Sequence, residues 1–204
     1  NYTLTNGTLT MTIVPRSTTV SGTKTYDGTT NVASSNLTSF SNLAGSDTLS
    51  LSGTGTISSA DVGTGKSVNT SGLTIDNSSG VGSNYTLSAA TVNVTERVIG
   101  LSGVRAFDGT NNASSADLSM SNLVSGENLT LSGSGTVPNA TVEMNKAITL
   151  GSLSISDGSG GKSSNYTLTG GSHTLDISQL SVNVTGSRQY DGTKTVNSSD
   201  LSLT

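Results

Sequence analysis

Apolar residues in this chain are sparse, and they fall in short alternations separated by turn dipeptides. Val20, Gly22, Lys24 and Tyr26 share one face of a period-2 segment, and so do Leu101, Gly103, Arg105 and Phe107. That pattern predicts a strand with one packed side. Each aromatic of this series is followed by a turn dipeptide: Tyr26 by Asp27-Gly28, Phe107 by Asp108-Gly109 and Tyr190 by Asp191-Gly192. Gly accepts positive φ freely and Asp tolerates it, so each strand is expected to end there. Leu49/Leu51 and Leu129/Leu131 mark a second strand. Val68 to Ile75, matched by Ile148 to Ile155, predicts a third. Its alternation changes phase between Leu150 and Leu153, which predicts a bulge at Gly151-Ser152. Tyr85-Thr-Leu87 and Tyr166-Thr-Leu168 open a fourth. Ser34 to Leu43 and Ser114 to Leu123 hold at most one helical turn each.

The pattern repeats, and a fixed period dominates any reading of fold. Val20-Ser-Gly-Thr-Lys-Thr-Tyr-Asp-Gly-Thr29 returns as Leu101-Ser-Gly-Val-Arg-Ala-Phe-Asp-Gly-Thr110 and as Val184-Thr-Gly-Ser-Arg-Gln-Tyr-Asp-Gly-Thr193. Tyr26, Phe107 and Tyr190 stand 81 and 83 residues apart. Asn-Tyr-Thr-Leu occurs at Asn1, Asn84 and Asn165, spaced 83 and 81. The reading is all-β: tandem small β-sandwich or β-grasp-like repeats of about 82 residues, arranged as an elongated rod. Its parts are the last strand of a preceding repeat (1–15), two whole repeats (16–96 and 97–179) and the start of another (180–204). The chain would then be a slice of something longer, with any export signal upstream. No Pro/Ser-rich hinge separates the two repeats. From Val92 to Gly103 the apolar alternation runs on, so neighbours are expected to couple stiffly, without the coil behaviour of a Gly/Ser tether.

Composition supports a thin-cored β protein. Gly, Ser, Thr and Asn make up more than half of the 204 residues, while aromatics are 3% and charged residues 11%. Disordered chains of similar polarity carry many more charges and prolines; here Pro15 and Pro138 are the only prolines. Cysteine is absent, so sheet pairing must do what disulfides do in many small secreted domains. The same absence suits export as an unfolded chain through an outer-membrane pore. The net charge is −4, with acids scattered singly. No basic patch with stacking aromatics is present to bind nucleic acid, and no apolar run is long enough for a membrane helix.

Candidate chemistry is slight. His173, the single histidine, lies near Asp176. Its counterpart one repeat earlier reads as the strand residue Val92, so a surface strand position is expected and not a Ser-His-Asp or zinc site. Gly65-Lys66-Ser67 and Gly161-Lys162-Ser163 echo a phosphate loop but lack its earlier glycine, since Ala60 and Ser156 stand there. Asp27, Asp108 and Asp191 are isolated acids, which fits a turn better than a calcium site. Lys24, Arg105 and Arg188 precede the aromatics by two on the same strand face, and a cation–π or stem-packing contact of structural kind is expected. No cofactor or metal is expected. Tyr26 and Phe107 are both expected to be buried.

Tyr26-Asp27-Gly28-Thr29, the Leu-Ser-Gly-Thr-Gly-Thr strand, Val62-Gly-Thr-Gly-Lys66 and Asn84-Tyr85-Thr-Leu87 resemble the YDG repeat domain. That domain occurs in tandem in very large filamentous-haemagglutinin-like proteins. The resemblance extends over the whole chain through Phe107-Asp108-Gly109, Asn165-Tyr166 and Tyr190-Asp191-Gly192. Phe107 departs from the tyrosine, and Val142-Glu-Met-Asn-Lys146 from the Val-Gly-x-Gly-Lys turn. The resemblance implies two-partner secretion, an export domain elsewhere, and repeats serving as a non-enzymatic stalk on the cell surface or in a biofilm matrix. Expected partners are neighbouring repeats, with matrix exopolysaccharide or other filament copies beside them. The alternative function is a carbohydrate-binding module, for which Tyr2, Phe40 and the motif aromatics would supply rings.

Overall fold

A computed structural model describes Gly7 and residues 10–204. Asn1, Tyr2 and most of the strand expected over 1–15 lie outside the described residues. Residues 10–15 form no strand: Met11 and Ile13 are each 85% exposed, with no neighbouring strand among the described residues.

Nineteen strands are joined by turns and single 3-10 turns, without an α-helix among the described residues. The first repeat contributes β1 (Arg16–Thr25), β2 (Asn31–Ala33), β3 (Leu37–Ser41), β4 (Leu49–Thr56), β5 (Gly63–Ser67), β6 (Leu73–Asn77) and β7 (Tyr85–Thr95), and the second opens with β8 (Arg97–Val98). Then come β9 (Gly100–Ala106), β10 (Asn112–Ser114), β11 (Leu118–Ser121), β12 (Leu129–Ser132), β13 (Ser134–Thr136), β14 (Glu143–Ala147), β15 (Ser154–Asp157), β16 (Tyr166–Thr167) and β17 (His173–Ser178). Last are β18 (Val184–Gly186) and β19 (Leu201–Leu203). The chain divides into two compact units. Unit 1 holds the described residues up to Val98 with Leu123–Leu129 and Asp157–Thr169; unit 2 holds Ile99–Asn122, Thr130–Ser156 and Gly170–Thr204.

In unit 1 a four-stranded sheet runs β3-β1-β7-β5 and a three-stranded sheet runs β2-β4-β6. The centre of the first is a parallel pair, β1 with β7, in register from Arg16↔Tyr85 to Thr25↔Thr95 with one shift after Thr18. The alternation on β1 buries Thr18, Val20 and Lys24 and exposes their neighbours. Ala90, Val92 and Val94 of β7, with Val32, Leu37, Ile57 and Val68, complete a small core. Both sheets contribute to it, and no α-helix lies across either, so the two-sheet form of the expected fold is the one observed.

The glycine of the Val-Ser-Gly motif has a steric cause. A Cβ on Gly22 would fall 1.7 Å from the carbonyl oxygen of Asn36, at the end of the 3-10 turn Ser34–Asn36. Gly103 meets Asp117 O at 1.9 Å and Gly186 meets Asp200 O at 2.0 Å in the same way. Each repeat thus presses a turn carbonyl onto its leading strand, where only glycine leaves room.

The expected third strand is corrected. Asn69 bridges Thr56, the chain turns through Thr70 to Gly72, and β6 starts only at Leu73. The second copy turns likewise at Leu150–Leu153, closed by Leu153 N–H to Leu150 O at 2.9 Å, with Gly151 at φ 55°. The phase change at Gly151-Ser152 therefore marks a tight turn in place of a bulge.

Unit 2 repeats the plan with a sheet ordered β11-β9-β17-β14 around the parallel pair of β9 and β17. His173 lies opposite Leu101 and Leu175 opposite Gly103; in unit 1 Ala90 lies opposite Val20 and Val92 opposite Gly22. His173 therefore corresponds to Ala90 and not to Val92. Two residues added at Gly170-Gly171 cause the offset and split the long strand that β7 represents into β16 and β17.

Phe107 is a further correction. Tyr26 is 5% exposed, as expected, but Phe107 is 39% exposed, so the second aromatic is no core residue. The core of unit 2 is Ile99, Leu101, Ala113, Val137, Leu175 and Ile177, all at 2% or less. Leu175→Ala is expected to destabilise unit 2 by about 2–5 kcal/mol, and Phe107→Ala by clearly less. Urea unfolding of the two variants checks the order; equal losses would contradict this core.

Candidate functional site

The Tyr-Asp-Gly segment is a locked turn. Asp27 Oδ1 accepts from the Thr29 amide and hydroxyl, each at 2.9 Å, and Gly28 takes φ 76°. Buried Lys24 closes the lock: its Nζ meets Asp27 Oδ1 at 2.8 Å and donates to Thr29 O at 2.9 Å and to Asn31 O. Of the two expected contacts, cation on ring or stem packing, the ammonium takes neither ring nor solvent and sits among oxygens. Arg105 with Asp108 and Thr110, and Arg188 with Asp191 and Thr193, rebuild the lock, with Gly109 at φ 80° and Gly192 at φ 78°. Burial raises the Asp27 carboxyl, but its hydrogen bonds to Lys24 and Thr29 outweigh that and leave it below the usual carboxylate range. The same contacts engage Asp27 Oδ1; among the described residues no three acidic, His or Cys side chains cluster as metal ligands.

The lock aims Tyr26 at residues that belong to the second sequence repeat but to the same compact unit. The Tyr26 hydroxyl donates to Glu127 Oε1 at 2.6 Å. The Tyr166 hydroxyl donates to the other oxygen, Oε2, at 2.7 Å and accepts from the Val124 amide at 3.0 Å. The two rings meet edge to face, with centroids 5.4 Å apart at 78°, an arrangement worth about 0.5–1.5 kcal/mol beyond area burial. Gly28 completes the seat, because a Cβ there would lie 2.8 Å from Val124 Cγ1. Burial, and then the Glu127 carboxylate, push the Tyr26 hydroxyl far above the usual tyrosine range. Burial chiefly raises Tyr166 as well.

A second cluster lies in the same unit. Asp61 pairs with Lys162 at 2.8 Å and accepts from Asn165 Nδ2 at 2.9 Å. Asn165, 1% exposed, also accepts from the Val62 amide through Oδ1 at 2.9 Å. Lys162, then Asn165, hold the Asp61 carboxyl down at about 2. Beside these contacts β16 pairs in parallel with β8, Tyr166 opposite Arg97 and Thr167 opposite Val98.

Of the residues singled out in sequence, Tyr26, Asp27, Gly28, Asn165 and Tyr166 are brought together, with Glu127, Asp61 and Lys162 beside them. Asn84 and Tyr85 form an unfilled version, in which Tyr85 donates to Asp47 Oδ2 at 2.6 Å. Phe107 and Tyr190 stay exposed, at 39% and 93%. Glu127 was legible only as an acid that recurs at Asp47, 80 residues earlier; Asp61, with Thr141 at the matching place, leaves no repeat signal. Lys162 of the second Gly-Lys-Ser is spent on Asp61, and Lys66 of the first donates to Ser59 O at 2.9 Å and to Asp61 O. His173 is half-buried in β17. No helix of the described residues is long and apolar enough to cross a membrane.

Residues 5–93 and again 95–175 match the YDG domain. Comparison with curated proteins and comparison with solved structures give no match.

Both clusters carry a pH signature. The Asp61 carboxyl is depressed on folding, so its contribution is complete above the unfolded value of about 4 and is lost as pH falls toward about 2. Unfolding midpoints measured down this range should fall less steeply for Asp61→Asn than for the native chain. The Tyr26 hydroxyl is raised, so its contribution holds below about pH 10 and is lost above it. Tyr26→Phe should lower stability at neutral pH and flatten the alkaline fall; an unchanged alkaline slope would show that the Tyr26 hydroxyl is not held as a buried donor.

Proposed function

Because this chain belongs to the YDG domain family, in two tandem copies over most of its length, we propose that it is a spacer segment of a large secreted bacterial adhesin or biofilm-matrix protein. In this role consecutive repeats hold one another, and the segment sets a binding region at a distance from the cell. It carries out no chemistry of its own. One observation carries the reading: Tyr26 and Tyr166, motif tyrosines of successive repeats, spend their hydroxyls on the same Glu127 carboxylate. Groups that serve a ligand stay open to it; these are closed on each other.

Two further features support the spacer. β7, β8 and β9 follow one another with breaks only at Glu96 and Ile99, so no coil-like tether stands between the repeats. The chain lacks cysteine, which suits passage of an unfolded chain to an extracellular site. A second reading, a module that binds matrix exopolysaccharide, draws on the exposed rings of Tyr190 and Phe107.

Small-angle scattering on chains of increasing repeat number tests the spacer. The maximum dimension is expected to grow linearly, by roughly 30–40 Å per repeat if strands of about 3.3 Å per residue run along the axis. A radius of gyration that scales as a flexible chain would sink it. Retention of the chain on purified exopolysaccharide, abolished by Tyr190→Ala with Phe107→Ala, would favour the second reading.

A further inference from the structure

Unit 1 contains the tyrosine–carboxylate site twice, once filled and once open. In the open copy the Tyr85 hydroxyl donates to Asp47 Oδ2 at 2.6 Å and accepts from the Ala44 amide at 3.0 Å. These contacts reproduce those of Tyr166 with Glu127 and Val124, at 2.7 and 3.0 Å. In the filled copy the second carboxylate oxygen receives Tyr26; Asp47 Oδ1 receives no side-chain donor among the described residues. Asn84 is exposed, whereas its counterpart Asn165 is buried because it holds Val62 and Asp61. An open concavity of about 370 Å³ lies over these groups, lined by Pro15, Arg16, Ala44, Asp47, Asn84 and Tyr85 among others.

The approach to this concavity is also unpaired. Arg16 stands 81 residues before Arg97, and Met11 and Ile13 stand 81 residues before Val92 and Val94. Val92 and Val94 are 1% and 2% exposed, and Leu175 and Ile177 of β17 are 0% and 2% exposed. Met11 and Ile13, at 85% each, are the same strand positions without the parallel strand that covers them in both repeats.

We propose that the Tyr85–Asp47 concavity is a receptor for the Tyr-Asp-Gly face of another YDG repeat, joined through residues 10–15. This rests on the spacer reading and names the partner it requires at the second site. The incoming tyrosine hydroxyl donates to Asp47 Oδ1, its ring meets Tyr85 edge to face, and Asn84 takes the amide two strands away as Asn165 takes Val62. The site selects a hydroxyl-bearing aromatic, because phenylalanine would leave a carboxylate oxygen without its donor. It does without the ion pair of the filled copy, since Val81 stands where Lys162 would. Its hold should accordingly depend little on salt.

The test is the full chain with residues 16–96 duplicated in tandem, which places one Tyr26 before a second copy of Asp47, with Thr91–Glu96 ahead of the second Arg16 as they stand ahead of Arg97. A double-mutant cycle combines Tyr26→Phe in the first copy with Asp47→Asn in the second, read as shifts in unfolding midpoint. The expected result is coupling: the pair shifts the midpoint by no more than the larger single change. Tyr26→Phe with Glu127→Gln in the unduplicated chain is the reference. Additive shifts at the Asp47 site, with coupling in the reference, would overturn the receptor and leave the spacer reading standing. Additive shifts in both would overturn both. Hydrogen exchange of the unsubstituted duplicated chain gives a second readout. The Val62 amide of the first copy should exchange about as slowly as that of the second, and rapid exchange there overturns the proposal.

Discussion

A carboxylate has two oxygens, and at Glu127 each takes a tyrosine hydroxyl from a different sequence repeat. Removing an ionised carboxylate from water costs several kcal/mol unless it is hydrogen-bonded, and a buried hydroxyl without a partner costs about 1–3 kcal/mol. Each group here cancels the penalty of the others. The contact is therefore conditional. Without Tyr26, Glu127 keeps one donor and an oxygen that must find water; without Glu127, two buried hydroxyls lose their acceptor. Such a site favours contact between repeats through what its absence would cost, which a thin apolar surface alone could not do.

That conditionality matters because the cores are small. Full burial of a valine or leucine side chain contributes about 1.5–3 kcal/mol, and a repeat has few of them. Lysine is accordingly used as a core residue. Lys24 and Lys146 are 4% and 5% exposed, and their ammonium groups are satisfied by carbonyl, hydroxyl and amide oxygens together with one carboxylate each. The aliphatic stem packs while the head organises a loop. At Lys24 this fixes the turn that carries Tyr26, so the packing of β1 and the aim of the docking tyrosine rest on one side chain.

Period and alternation made the strands and the turns legible, because burial on β1 and β9 follows a strict two-residue rhythm that survives in a polar sequence. Repetition also found Tyr26, Asn165 and Tyr166. It did not say why they recur, since their reason lies in contacts about 100 residues apart. The errors share a cause as well. The turn at Thr70–Gly72 was hidden because residues on either side are apolar at strand-like spacing. Phe107 was expected to be buried on the strength of its strand, but the strand supplies only one side of the cover. At Tyr26 the rest comes from Tyr166, Val124 and Glu127, and local sequence carries no record of such neighbours.

The two repeats present chemically different Tyr-Asp-Gly ends. The first offers a hydroxyl at Tyr26 and a carboxylate at Asp61; the second offers Phe107 and Thr141 at those places. The receiving sites differ too, with Glu127 and Lys162 in one and Asp47 and Val81 in the other. Phenylalanine gives a receiving carboxylate no donor, and threonine gives a receiving lysine no charge. An end of the second kind would be penalised at the Glu127 site by an unsatisfied acceptor and an unpaired ammonium. Discrimination by such penalties is stronger than discrimination by apolar fit, because a missing hydrogen bond in a closed contact costs more than a missing methyl group. Under the proposed docking, the departures at Phe107 and Thr141 make the two ends unequal partners for the Glu127 site.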